Sequence, residues 1–152
     1  MPAIVRPGTD RTMPYANIWE PGGVTTRFSG FVTAAEYVCS AEDICADPRF
    51  DALRFVIKDL LAIDGHDVEP RACDAIAAIR HGARFTNPNI YLVLLTTDAR
   101  LMPFAHPEAT SMLHGLYETH AFASADAARR WLAAQPPLAR ANGRLRGAPP
   151  AR

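Results

Sequence analysis

No stretch of this chain reaches the roughly 18 consecutive apolar residues that a membrane helix needs. Its first dozen residues, MPAIVRPGTDRT, carry two prolines and no apolar signal-peptide core. The expectation is therefore no membrane span and a cytoplasmic location. Cysteine is scarce: Cys39, Cys45 and Cys73 are too few for a disulfide scaffold and lack the paired spacing of a zinc site, which points to a reducing compartment. Lysine is nearly absent, with Lys58 alone against fifteen arginines. Beside the high alanine content, this reads as a compositional bias without functional meaning. Clustered basic side chains are missing as well, since residues 13–134 hold ten basic against fifteen acidic side chains, a net of −5. Such a body excludes a specific nucleic-acid face, which needs grouped Lys and Arg to displace counterions from phosphate. Residues 135–152 carry four arginines and no acid, so only this tail can touch an anionic partner, and weakly.

What is present is ample material for one packed domain: 152 residues, 49% hydrophobic and 21% charged. The composition divides the chain into a flexible lead-in at 1–13, a domain at 14–134 and a disordered basic tail at 135–152. YANIWE, PGG and VTTRFSG read as a β-hairpin turning on Gly22-Gly23. Thr33-Ala-Ala-Glu36 is a capping box that opens a helix with Tyr37, Val38, Ala41, Ile44 and Cys45 on one face and Ser40 mostly elsewhere. Asp47-Pro48 ends it. Leu53–Lys58 and Ile90–Leu95 are apolar on both faces, the pattern of strands buried between helices. Between them a helix starting around Asp67 to Pro70 is expected to stop at Gly82 as a C′ glycine, with His81 complementing the dipole of the last turn. Pro103 and Pro107 break the segment ARLMPFAHPEATSMLHG into two short helical pieces or a helix and an irregular crossover. Leu116–Phe122 alternates as a last strand, and Ser124 caps a final helix with Ala128, Trp131 and Leu132 inward. The fold class is α/β: a single domain with a small mixed, mostly parallel sheet, Leu53–Lys58 and Ile90–Leu95 at its centre and an antiparallel hairpin at its edge.

In open parallel sheets, ligands bind beyond the carboxyl ends of strands. That rule places a candidate ligand site at Asp59, Asp64, Gly65, His66 and Asp67, after the first central strand, with Thr97 and Asp98 after the second. The competing reading is an acidic solvated loop with Asp67 as the N-cap of the next helix. Other candidates are weaker. Cys73 sits in the second helical turn on the apolar side, unsuited to a nucleophile pair with His66. His106, His114 and His120 match no metal-ligand spacing. Met102, Phe104, Met112, Leu113, Leu116 and Tyr117 form an apolar, proline-broken segment best read as packing.

The succession of DPRF at 47–50, an apolar strand ending in a lone Asp59, a helix, a second apolar strand and a closing ADAARRWL at 125–132 resembles the stage II sporulation protein AA-like group. That group is related to the sulfate transporter and anti-sigma-factor antagonist (STAS) domain. The resemblance spans about residues 15–134 and implies a STAS-like βα superhelix. In the antagonists, a serine at the start of the helix after this strand is phosphorylated to break a partner interface. The matching stretch Asp59–Asp74 contains neither serine nor threonine, so that switch is not carried over. No motif specifies a reaction. The expected function is a non-enzymatic STAS-like module, without cofactor or metal, that binds a partner protein (a second copy of the chain included) or a small, lipid-like apolar ligand. The alternative is a small hydrolase or metal-assisted enzyme using Asp59, Asp64 and His66.

Overall fold

The computed structural model describes residues 14–104 and 118–136. The hairpin forms as expected: β1 (Tyr15–Glu20) pairs antiparallel with β2 (Gly23–Phe28). Gly22 takes a left-handed φ of 75°, which a side chain would strain, and Gly23 lies over Phe55, where a Cβ would fall 2.0 Å from the ring. A short β3 (Gly30–Val32) leads into α1 (Ala34–Ala46). Both capping-box bonds are made, Glu36 N–H to Thr33 Oγ1 at 3.2 Å and Thr33 N–H to Glu36 Oε2 at 2.9 Å. Asp47 closes α1 and caps the 3-10 turn Pro48–Ala52 through the Arg49 amide.

The central strands are β4 (Phe55–Asp59) and β6 (Tyr91–Leu95). The five-stranded sheet has the order β1-β2-β4-β6-β7, with β2, β4, β6 and β7 (Thr119–Phe122) mutually parallel and β1 the antiparallel edge. The helices α1 and α2 (Pro70–Thr86) pack on each other over one face. The opposite face is covered by α3 (Ala125–Ala133), capped by Ser124, with Ala128 and Leu132 buried and Trp131 partly so. Helices on both sides explain why β4 and β6 are apolar on both faces. Asn87 fastens the end of α2 to the approach to β4, donating from its side-chain amide to the carbonyls of Phe50 (2.8 Å) and Leu53 (2.9 Å).

Four expectations are corrected. The stretch after β4 is not only a loop: β5 (Ile63–His66) pairs in parallel with β3 as a second, two-stranded sheet. Gly82 is no C′ residue, because α2 runs through it to Thr86 and ends at Asn87, which also leaves His81 within the helix instead of at its dipole end. Asp67 caps the other helix: its Oδ1 accepts from the Ala34 amide of α1 at 2.8 Å, while the N-cap of α2 is Glu69, without a side-chain bond. Ser40 is fully buried with Tyr37 and Ile44. Of the broken crossover, Ala99–Phe104 is a 3-10 turn. His106, Met112, Leu113, His114, Leu116 and Tyr117, the lead-in 1–13, most of the tail and the side chains of Cys73, Met102 and Phe104 lie outside the described residues.

Candidate functional site

The strand-end residues divide among several partners. Asp59 ends β4, accepts from the Leu61 amide at 3.1 Å and faces Arg27 of β2 at 3.8 Å. Asp64 and Thr97 are exposed. Gly65 lies opposite Phe31, where a Cβ would come within 3.3 Å of the ring, so glycine lets the ring cross the β3–β5 pair. Asp67 is occupied by the N-terminus of α1. Only His66 and Asp98 meet: Nε2 lies 3.1 Å from Asp98 Oδ2, with the imidazole 5% exposed. Because the Val68 amide donates to Nδ1 at 3.2 Å, Nε2 must carry the proton and donate to Asp98. Both ring nitrogens are thereby engaged, leaving no lone pair for proton abstraction. The Arg100 guanidinium and backbone amide, with His66 assisting, hold Asp98 far below the usual carboxylate range. Among the described residues no three His, Cys, Asp or Glu side chains are placed to share a metal ion. His120 is paired with Glu118 at 3.0 Å and packed on Trp131.

A second polar group lies deeper. Thr26 of β2 and Lys58 of β4 are in register, and Ser40 of α1 joins them, all three buried. Lys58 Nζ donates to Ser40 Oγ at 3.0 Å and more weakly to Thr26 Oγ1 at 3.4 Å. Each hydroxyl spends its own proton elsewhere, Ser40 on the Tyr37 carbonyl and Thr26 on Asn17 Oδ1, both at 2.6 Å, so both face the lysine as acceptors. The stacked rings of Phe28 and Tyr37 stand 5.9 and 6.0 Å from Nζ. Both acceptors found among the described residues are thus neutral. Burial, then the neighbouring Arg80 cation, brings Lys58 down to about 7 from 10.5, against smaller upward pulls from Cys45 and Asp43. This polar row divides the core under α1 and α2 into one cluster around Phe28, Tyr37 and Ile76 and another around Val24, Ile44 and Val56.

Beside the row lies an apolar cavity of about 40 Å³ between α1, α2 and the sheet, with Lys58 and Arg80 among its walls. Ala41, Cys45, Ile79 and Ala83, also on its walls, are only half-buried, which marks the seam between the helices as the side nearest solvent. Burial pushes the Cys45 thiol up, so it is a neutral wall and no nucleophile. Lys58 and Arg80 are the only Asp, Glu, Lys or Arg residues buried among the described residues. The walls are mostly apolar, and Lys58 and Arg80 are the charged residues among those that line them.

Reading the lone lysine as composition missed this group, although two signals pointed to it. A strand buried on both faces must bury Lys58, which alternates with Val56 and Leu60. Tyr37, Ser40 and Ile44 stand at i, i+3 and i+7, so helical spacing alone puts the serine inward. No protein-family model matches the chain, and no curated protein or solved structure matches it.

Proposed function

We propose that this chain is a non-catalytic, STAS-like cytoplasmic module that holds a small amphipathic ligand in the cavity between its sheet and the α1–α2 pair. One observation carries the reading: the chain's only lysine is buried at 4% exposure against an apolar cavity, and its hydrogen-bond partners among the described residues are hydroxyl groups. An ammonium removed from water without a carboxylate is costly, and such groups concentrate where a ligand completes the site. The element order and the missing hydroxyl in Asp59–Asp74 support a STAS-like module that does not toggle by phosphorylation there. A thermal-shift screen against fatty acids of graded length, nucleotides and divalent metals tests it. A ligand that binds only the folded state at about 100 times its Kd adds about 2.7 kcal/mol. The expected outcome is a rise in melting temperature with fatty acids alone. Stabilisation by a divalent metal that Asp64→Ala abolishes would favour a metal-assisted enzyme instead.

A further inference from the structure

We propose that the chain associates with a second copy of itself through β1, whose outer edge pairs antiparallel across a two-fold axis at Asn17 and joins the two sheets into one. β1 is the edge of the five-stranded sheet, bonded to β2 on one side and to no other described strand on the other. Which of its groups face outward follows from the ladder. The Ser29 amide donates to the Pro14 carbonyl at 3.0 Å, so alternation along the antiparallel pair makes Ala16, Ile18 and Glu20 the residues bonded to β2. Tyr15, Asn17 and Trp19 therefore turn their N–H and C=O groups outward. Sheet edges are ordinarily guarded by lysine, proline, a bulge or an inward charge. Between Pro14 and Pro21 this edge has none of them: the β1–β2 register is unbroken, and the only charge in the strand, Glu20, stands at its end and is bound to Arg129.

The occupant that fits this edge is the edge itself. From Tyr15 to Trp19 the order is aromatic, apolar, amide, apolar, aromatic, symmetric about Asn17. With the axis there, Tyr15 meets Trp19 of the second copy and Asn17 meets its counterpart, each pair exchanging two backbone bonds, so every outward group is used. A shift of two residues either way leaves some of them unpaired. Side chains agree on both faces. Towards α1, where Tyr15 and Trp19 pack, two aromatic pairs form across the junction. Tyr15 donates to Asp43 at 2.6 Å and Trp19 lies under the Arg49 guanidinium at 4.0 Å, so unlike charges arrive on the same side of the axis, with Asp47 keeping its own bonds to Arg49. Towards α3, Ala16 stands opposite Ile18 of the second copy, a small side chain against a large one, and covers an isoleucine that is 44% exposed in the single chain. No like charges fall opposite one another, because Glu20 meets Pro14. A two-fold contact closes on itself, so assembly stops at two copies. A six-residue edge belongs to the small, reversible class of interfaces.

The test is sedimentation equilibrium of the full chain from about 1 μM to about 1 mM, the range a small interface calls for. A monomer–dimer equilibrium without larger species is expected. Ile18→Lys, at an exposed side chain, sets the usual edge guard beside the axis and should weaken the dimer about tenfold or more with the circular dichroism spectrum unchanged. Register is read by crosslinking in a Cys39→Ser background, which removes an exposed native thiol. Chains carrying Ala16→Cys, mixed with chains carrying Ile18→Cys, should form a disulfide on mild oxidation because the two positions are opposite. Neither variant alone should, since like positions lie two residues out of register, beyond the roughly 7 Å between Cα atoms that a disulfide spans. A chain that stays monomeric throughout would overturn the inference and leave the edge to a strand of another protein. A dimer unaffected by Ile18→Lys, or crosslinks within one variant as strong as in the mixture, would overturn it by putting the contact or the register elsewhere.

Discussion

On the α3 side of the sheet, β4 presents Phe55 and Ile57 and β6 presents Tyr91, Val93 and Leu95, closed by Ala128 and Leu132. On the other side β4 presents Val56 and Lys58, followed by Leu60 just past its end, and a charged residue lies where the first side has Ile57. The two residues are adjacent in sequence, in one strand, and almost equally buried. Their surroundings differ: Lys58 meets two hydroxyls, two rings and a cavity, whereas on the α3 side a cation contact, Arg129 over Phe55 and paired with Glu20, lies at the exposed edge. Among the described residues, the α3 face thus buries no charge. The other gives up stability to keep a charge indoors, and the lowering of Lys58 from 10.5 to about 7 corresponds to about 5 kcal/mol against its charged form.

Moving the charge breaks the comparison most severely. Ile57→Lys places an ammonium on the α3 side without acceptors, and is expected to cost about 3 to 5 kcal/mol, a large part of a domain's stability. Urea denaturation followed by circular dichroism reads this, and a variant as stable as the parent would mean that the two faces tolerate charge alike.

Removing the charge should act in the opposite direction. Lys58 keeps its proton to about 10.5 when unfolded but only to about 7 when folded, so between those values the unfolded state binds more protons and rising pH favours folding. The cost is full below pH 7, shrinks through that window and is gone above it. Lys58→Met is accordingly expected to be more stable by about 3 kcal/mol below pH 7, the gain vanishing toward pH 10.5. Ser40 and Thr26 lose no acceptor in this variant, because each hydroxyl donates elsewhere. Paired urea midpoints across the pH range check the sign, and a destabilised variant would show that the lysine supports the fold.

The smallest effect sharpens the contrast. Asp67→Ala removes the side-chain acceptor from the Ala34 amide and should cost about 1 kcal/mol. Hydrogen exchange should speed in α1 and leave α3 unchanged. Equal acceleration in both helices would mean that the two faces open as one unit.

Much of the frame was legible in the residues. The capping box Thr33–Glu36, the Gly22-Gly23 turn and the two central strands each carry a local signal with one physical reading, and all are realised. What escaped had a weak or conflicting signal. GFV and IDGH are too short to show alternation, so IDGH reads as loop and GFV gives no strand signal of its own. Gly82 lies on an exposed surface of α2, where helix packing overrides the local preference to stop. Asp67 sits before α2 in sequence but before α1 in space, a capping relation that only the β3–β5 pairing creates. Within the candidate site, the His66–Asp98 contact joins residues 32 apart at the ends of neighbouring elements, and the strand-end rule named both. The lysine row was readable from spacing and was missed because residue type outweighed position.

A chain with one ε-amine, and that one buried, carries its own clock. A bulky acylating reagent cannot reach Lys58 while α1 and α2 cover it, so the rate at which the lysine is capped measures how often that face separates from the sheet. The same count of modified chains, taken across a urea series, would report directly how the opening of that face depends on denaturant.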